Sequence, residues 1–258
     1  MVACAENIAS NFSRGELLAI EKAAVHAWPA SETRDIDGWL WRYSGGGSQR
    51  ANSVSPLEFR GTDPDAAIAE AEELYFSRNA PSRFQVGTEL AAPVDLDRRL
   101  ERRGYRICEP VTTLALRLSG RCAFTARAMV ADRPSDGWME VYLTNVAPDR
   151  HAAAPAILAS VPSPRAFLCI EAGGKVVSTA LAVLHGNVVI AECVGTRAEA
   201  RRTGAASKVM AALEAWGWEH GANVAALQAV SENHPAQRLY AALGYTRVNG
   251  YHYRLREH

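Results

Sequence analysis

Apolar residues recur every three or four positions over residues 16–28, where Leu17, Leu18, Ile20, Ala24 and Val25 predict one face of an amphipathic helix. Trp28-Pro29 ends it, because the residue before a proline is pushed out of the helical region. Two strand-like runs follow, 38–43 and 50–59, and the Ser44-Gly45-Gly46-Gly47-Ser48 stretch between them predicts a hairpin. With no helix after it, that glycine run reads as a hairpin tip rather than a phosphate loop. Residues 63–77 predict a helix with Asp63 as N-cap and Pro64 in its first turn. A short strand at 83–86, a charged helix at 95–103 stopped by Gly104, and a strand at 105–118 complete the first half.

Residues 119–137 contain Ser119-Gly120, Pro134, Ser135, Asp136 and Gly137 and read as a linker. Beyond it, 166–171, 176–184 and 187–196 predict a three-strand meander turning at Ala172-Gly173-Gly174-Lys175 and His185-Gly186. A helix of about 15 residues follows Gly204, with Val209, Met210, Leu213 and Trp216 on one stripe. A strand (222–230), a helix (235–243) and a last strand (245–255) end the pattern. Arg102-Arg103-Gly104-Tyr105 and Ala242-Leu243-Gly244-Tyr245 each leave a helix and enter a strand, which hints at a duplicated α/β unit.

A length of 258 residues fits one large domain or two of about 120–130 residues. Lys plus Arg and Asp plus Glu are both 28, a balance that argues against a nucleic-acid partner. The longest apolar stretch, 176–191, is broken by Ser178, Thr179, His185, Gly186 and Asn187, so no spanning helix is expected. No basic start followed by an apolar run is readable, and a cytoplasmic protein without membrane association is the expectation. The five cysteines are scattered without a C-x-x-C pair, which fits a reducing compartment, and no histidine stands at ligand spacing, so no metal is expected.

The chemistry concentrates between the last meander strand and the helix after Gly204. A loop there offers unpaired backbone N–H groups and the positive end of a helix dipole, which together suit a phosphate. Gly204 lets the backbone approach an anion, Ala205 and Ala206 add little bulk, and Arg201 and Arg202 supply charge. By itself Arg201-x-x-Gly204-x-Ala206 describes a solvated helix start equally well.

After the next strand comes Asn233-x-x-Ala236-x-x-x-Tyr240-x-x-x-Gly244-Tyr245. The two motifs together resemble the acetyl-CoA pyrophosphate loop and the second cofactor motif of the GNAT superfamily of N-acetyltransferases. Trp28-Pro29-Ala30, Gly38-Trp39-Leu40, Arg50-Ala51-Asn52-Ser53 and Tyr251-His252-Tyr253-Arg254 further resemble a bacterial tandem subgroup often labelled N-acetylglutamate-synthase-like. The resemblance implies an α/β (α+β) fold of tandem GNAT-like units. Each would carry a mixed central β-sheet flanked by helices, with a degenerate unit at 1–120 and a catalytic one at 121–258. The first unit departs from the pattern: it has no R-x-x-G-x-G/A loop, and Leu100 and Pro93 fall opposite Tyr240 and Asn233.

What the resemblance implies is direct acetyl transfer from acetyl-CoA to the primary amine of a small molecule or amino acid. The alternatives are a protein lysine or N-terminal acetyltransferase, or a non-catalytic acyl-CoA sensor. Tyr240 would be the general acid and Glu192 the general base, or else a structural strand glutamate. Backbone groups at Val194, Gly195 and Thr196 would bind pantetheine. Arg201, Arg202, Thr203, Gly204, Ala205, Ala206 and Ser207 would hold the pyrophosphate. Asn233 would cap its helix, bond the cofactor, or both. A monomer and a homodimer are both compatible.

Strand alternation puts Glu192 and Val194 on one face and Cys193 on the other, which reads as a buried thiol. Arg50, Asn52 and Ser53 could bind a carboxylate on the substrate, although a structural role between the halves is favoured. Trp39 and Trp41 share a strand face and read as core between the two halves.

Overall fold

Ser13 opens the first helix by a reciprocal cap: its Oγ accepts from the Glu16 amide at 3.3 Å, while its own amide donates to the Glu16 carboxylate at 2.8 Å. This is α1 (Arg14–Ala27), whose Leu17, Ile20, Ala24 and Ala27 face inward. The structure is a computed structural model that describes residues 12–119 and 128–258. Cys4, Cys122, much of the expected linker and the expected boundary at 120–121 lie outside the described residues.

β1 (Glu32–Ile36) and β2 (Trp39–Tyr43) form a hairpin with Ile36 opposite Trp39. Asp37 and Gly38 turn it with φ of 49° and 97°, the positive values a two-residue hairpin turn requires. The hairpin therefore lies one loop earlier than the alternation suggests. Its expected second strand is absent: Arg50–Asn52 is a 3-10 turn, and Val54 and Ser55 make single bridges. Asn52 explains the difference, because its Oδ1 accepts from the Ser44 amide at 2.8 Å and its Nδ2 donates to the Ser48 carbonyl at 2.7 Å, fastening the glycine loop.

α2 (Pro64–Phe76), β3 (Ser82–Gly87), α3 (Leu96–Arg102) and β4 (Arg106–Arg117) follow as expected. Trp39 and Trp41 pack with Ile68, Tyr75, Phe84 and Leu100 in a core of the first half, not between the halves. The expected linker also carries structure, β5 (Met129–Ala131) and the start of α4 (Asp136–Thr144), which Ser135 caps through the Trp138 amide at 3.2 Å.

After α5 (Ala154–Ser160) come β6 (Arg165–Ala172), β7 (Lys175–His185), β8 (Val188–Thr196), α6 (Ala205–Glu219), β9 (Val224–Val230), α7 (His234–Ala242) and β10 (Thr246–Arg256). Eight strands join in one mixed sheet of order β3-β10-β4-β9-β8-β7-β6-β5, antiparallel except where β8 meets β9. β10 thus sits between two strands of the first half. Alternation along β7 splits the core: Leu181 and Val183 face α1, α4 and α5, while Ala180, Ala182 and Leu184 face α6 and α7. Among the described residues no helix is long and apolar enough to cross a membrane.

Glu214 on α6 is buried, accepts from the Tyr245 hydroxyl at 3.0 Å, and has its carboxyl pushed up by burial to about 7. The folded chain then holds this proton more tightly than the unfolded one, so stability falls as pH rises from about 4.5 towards 7. Between pH 5 and pH 8 the wild type should lose about 2 kcal/mol in urea unfolding relative to Glu214→Gln. The variant's amide oxygen keeps the Tyr245 contact without a charge. Parallel profiles for the two proteins would remove Glu214 as the titrating group.

Candidate active site

β8 and β9 pair only over Val188–Ile190 against Val224–Ala226, then part. Ala191, Glu192, Cys193 and Val194 line one side of the opening, and Leu227, Gln228, Ala229 and Val230 the other. On the β9 side, the backbone edge of β8 beyond Ile190 consequently has no strand beside it among the described residues and faces the cleft. Towards β7, Leu181 pairs with Glu192 and Thr179 with Gly195, so three steps on β8 oppose two on β7. This is a β-bulge, which re-aims side chains. Cys193 sits in it at φ 53°, with its carbonyl accepting from Thr179 Oγ1 at 3.2 Å.

The bulge breaks the alternation expected for this strand, and Glu192, Cys193 and Val194 all line the cavity. Cys193 is half-buried beside Tyr142, not turned away. Burial and the charge of Glu192 push its thiol well up, which keeps it protonated and a poor nucleophile.

The cavity, about 320 Å³, also receives Arg50, Tyr142, Tyr240, Tyr251 and Tyr253. Arg50 reaches across the halves to Glu192 with Nη1 to Oε1 at 2.5 Å and Nη2 to Oε2 at 2.7 Å, a two-pronged ion pair. Its guanidinium lies 4.9 Å from the centre of the Trp28 ring. Burial opposes the charge on Arg50, and the adjacent Glu192 outweighs that and holds it protonated. Asn52 and Ser53, grouped with Arg50 in sequence, do not line this cavity: Asn52 fastens the glycine loop, and Ser53 Oγ donates to the Arg50 carbonyl at 3.1 Å.

Tyr240 is buried on α7, its ring edge-on to Tyr245 at 5.9 Å. Burial, then the charge of Glu192, pushes its phenol up, so it carries its proton throughout the neutral range. Asn233 caps α7 by accepting from the Ala236 amide at 3.2 Å, and it lines the cavity as well.

A second hollow of about 520 Å³ lies on the other side of α7, against the start of α6. Thr196, Arg201, Arg202, Gly204, Ala205, Ala206 and Ser207 line it; Thr203 instead turns its hydroxyl to the Ala200 carbonyl at 2.7 Å. Gly204 is the N-cap of α6 at φ 82° and brings no side-chain cap, so the first-turn amides keep no acceptor of their own. A phosphate fits this cradle by charge and by donors. The start of α2 is the opposite case: Asp63 already accepts from the Asp65 and Ala66 amides at 3.0 and 3.2 Å, and its carboxylate would repel an anion.

Sequence reasoning missed the cavity floor. Gln228 Nε2 donates to the buried Glu21 of α1 at 2.8 Å, and the Tyr251 hydroxyl donates to Gln228 Oε1 at 3.4 Å. Thr113 and Asn249 also donate to Glu21 at 2.8 Å each, and burial pushes its carboxyl up. A lone glutamine within the apolar β9 run was the available signal. Among the described residues no three His, Cys, Asp or Glu side chains gather at metal-binding distance.

A protein-family model described as "Probable histone acetyltransferase Rv0428c C-terminal" matches residues 15–255. The "Uncharacterized N-acetyltransferase YobR" of Bacillus subtilis (strain 168) is 30% identical over 258 residues, spanning 93% of this chain and 99% of its own. A GCN5-related N-acetyltransferase from Kribbella flavida has the same fold, with TM-score 0.67 at 19% identity over 92% of each chain. A tandem GNAT protein from the clavulanic acid biosynthesis pathway superposes with TM-score 0.61 at 13% identity, over 85% of this chain and 77% of that one. Together with the split between β8 and β9, these matches define an N-acetyltransferase. The chain belongs to the GNAT family of N-acetyltransferases.

Proposed function

We propose that the protein transfers the acetyl group of acetyl-CoA directly to the primary amine of a small molecule in the cleft between β8 and β9. One observation carries this reading. α7 separates the two hollows, presenting Pro235, Arg238, Leu239 and Ala242 to the phosphate cradle and Asn233, Ala236 and Tyr240 to the reaction cavity. In this reading Arg201, Arg202 and the first-turn amides of α6 hold the pyrophosphate, and the open edge of β8 at Val194–Thr196 takes the pantetheine arm. The amine nitrogen forms its bond to the acetyl carbon as the carbon–sulfur bond breaks. Tyr240 gives its proton to the departing sulfur, and the amine proton passes to Glu192 through lone pairs not turned to Arg50.

A cavity of about 320 Å³ walled by the two halves suits a small acceptor better than a protein segment. Two GNAT-like units, 1–120 and 121–258, account for the order of the elements, with the self-capped, acidic start of α2 explaining why the first would hold no cofactor. Calorimetric titration with acetyl-CoA, followed by a thiol-release screen over amines, tests the reading. Arg201→Ala/Arg202→Ala should weaken acetyl-CoA binding by about 10- to 100-fold, since two charge-assisted contacts are lost. Wild-type binding without thiol release from any amine would favour the acyl-CoA sensor. Absence of binding would sink the proposal.

A further inference from the structure

Beside the reaction cavity, on the side of the first half, lies a third hollow of about 690 Å³. The two share Gly47, Ser48, Gln49 and Arg150, so Arg150 stands between them. Arg78, Arg83 and Arg150 line the third hollow, and among the described side chains no Asp or Glu does.

The three arginines differ in what already holds them. Arg78 Nη2 donates to Glu32 at 2.8 Å and Nη1 to the Leu74 carbonyl at 2.8 Å, so its charge is offset and its donors are used. Arg83 spends one nitrogen on the Asn52 carbonyl at 3.1 Å, and its Nε is enclosed without any partner. Among the described residues neither Arg83 nor Arg150 has a carboxylate within ion-pair distance. What an oxyanion in the hollow would meet is the unoffset charge of the two guanidiniums, not the enclosed Nε. Glu109, whose carboxylate accepts from Gln49 on the shared wall, lines the reaction cavity and not the third hollow, so the two unoffset cations concentrate positive potential on the far side of that wall.

Arg50, the residue whose sequence setting suggested carboxylate recognition, is occupied by Glu192. The cationic groups open to a ligand are the two beyond it. We propose that the acceptor is an amine carrying a carboxylate or phosphate, whose oxyanion is bound by Arg83 and Arg150 in the third hollow while the amine reaches Glu192 in the cavity. This rests on the acetyltransferase reading and names the acceptor class within it. The same charge disfavours polyamines, aminoglycosides and lysine-rich peptides, because each would bring further cations to Arg150.

The test compares 4-aminobutyrate and 3-aminopropylphosphonate with butylamine and spermidine, in the wild type and in Arg83→Gln/Arg150→Gln. The oxyanion-bearing amines should show kcat/KM at least about tenfold above the others, and the double variant should raise their KM about tenfold with kcat and acetyl-CoA affinity little changed. Comparing the two anionic amines separates carboxylate from phosphate recognition. A preference for butylamine or spermidine, or an unaltered KM in the variant, would overturn the proposal. If none of these amines is acetylated, calorimetry with citrate and with inorganic phosphate decides: at least one should bind the wild type and bind the double variant about tenfold more weakly. No binding of either probe would overturn the subsite. The acetyl-CoA titration stands apart from both measurements, so a failed acetyltransferase reading and a failed anion subsite are told apart.

Discussion

Arg50→Met should lower folding stability by about 3 kcal/mol, and the double variant Arg50→Met/Glu192→Leu should recover most of that loss while remaining inactive. The pair joins a residue of the first half to one of the second, with the side chains 22% and 7% exposed. Removing Arg50 alone strands the Glu192 carboxylate in a site nearly closed to water, since among the described residues no other cation stands within ion-pair distance of it. Removing both charges together takes away the desolvation cost along with the attraction. Such replacements in buried pairs are often neutral or stabilising. Urea unfolding of the four proteins of this cycle gives the coupling directly. An Arg50→Met protein as stable as the wild type would mean that solvent already supports Glu192 and that the pair does not fasten the halves.

Tyr240→Phe should reduce kcat by about 10² to 10⁴ while leaving acetyl-CoA affinity within about twofold, the range for losing a general acid. Tyr240 is 6% exposed, and burial together with the charge of Glu192 pushes its phenol's pKa up. It therefore remains a proton donor well above neutral pH, and no descending limb from Tyr240 is expected in the wild-type profile between pH 7 and about 9. The variant keeps the ring and its contact with Tyr245, so the loss would belong to the hydroxyl. Equal turnover in the two proteins would take Tyr240 out of the chemistry and leave it a packing residue.

The second half was legible because its signals are local. The strands β6 to β8 are apolar runs parted by glycine turns, Gly204 and Gly244 mark helix ends, and two motifs stand in register at α6 and α7. Asp63-Pro64 announced α2 in the same way. What escaped were features that local periodicity cannot encode. An extra residue in a strand leaves the pattern of Glu192, Cys193 and Val194 unchanged on paper, yet it turns Cys193 into the cavity. Arg50 and Glu192 were each singled out, but for separate tasks, since nothing in a sequence couples residues 142 positions apart. Only the start of α4 fell in the segment whose Pro, Ser and Gly composition reads as linker, although Ser135 is a proper N-cap, and the rest of α4 was not anticipated. Arg83 and Arg150 were not noticed at all, because their meaning lies in which carboxylates are missing around them.

The placement of β10 between β3 and β4 sets an order of events during synthesis. β4 is complete at Arg117, but its neighbour on one side begins only at Thr246, so a ribosome adding about 5 to 20 residues per second leaves the first half with an open seam for roughly 6 to 26 s. Throughout that interval the edges of β3 and β4 offer unpaired backbone to any passing strand. The native seam of the first half therefore closes only with the last strand of the chain, which ties the folding of the first half to completion of the second.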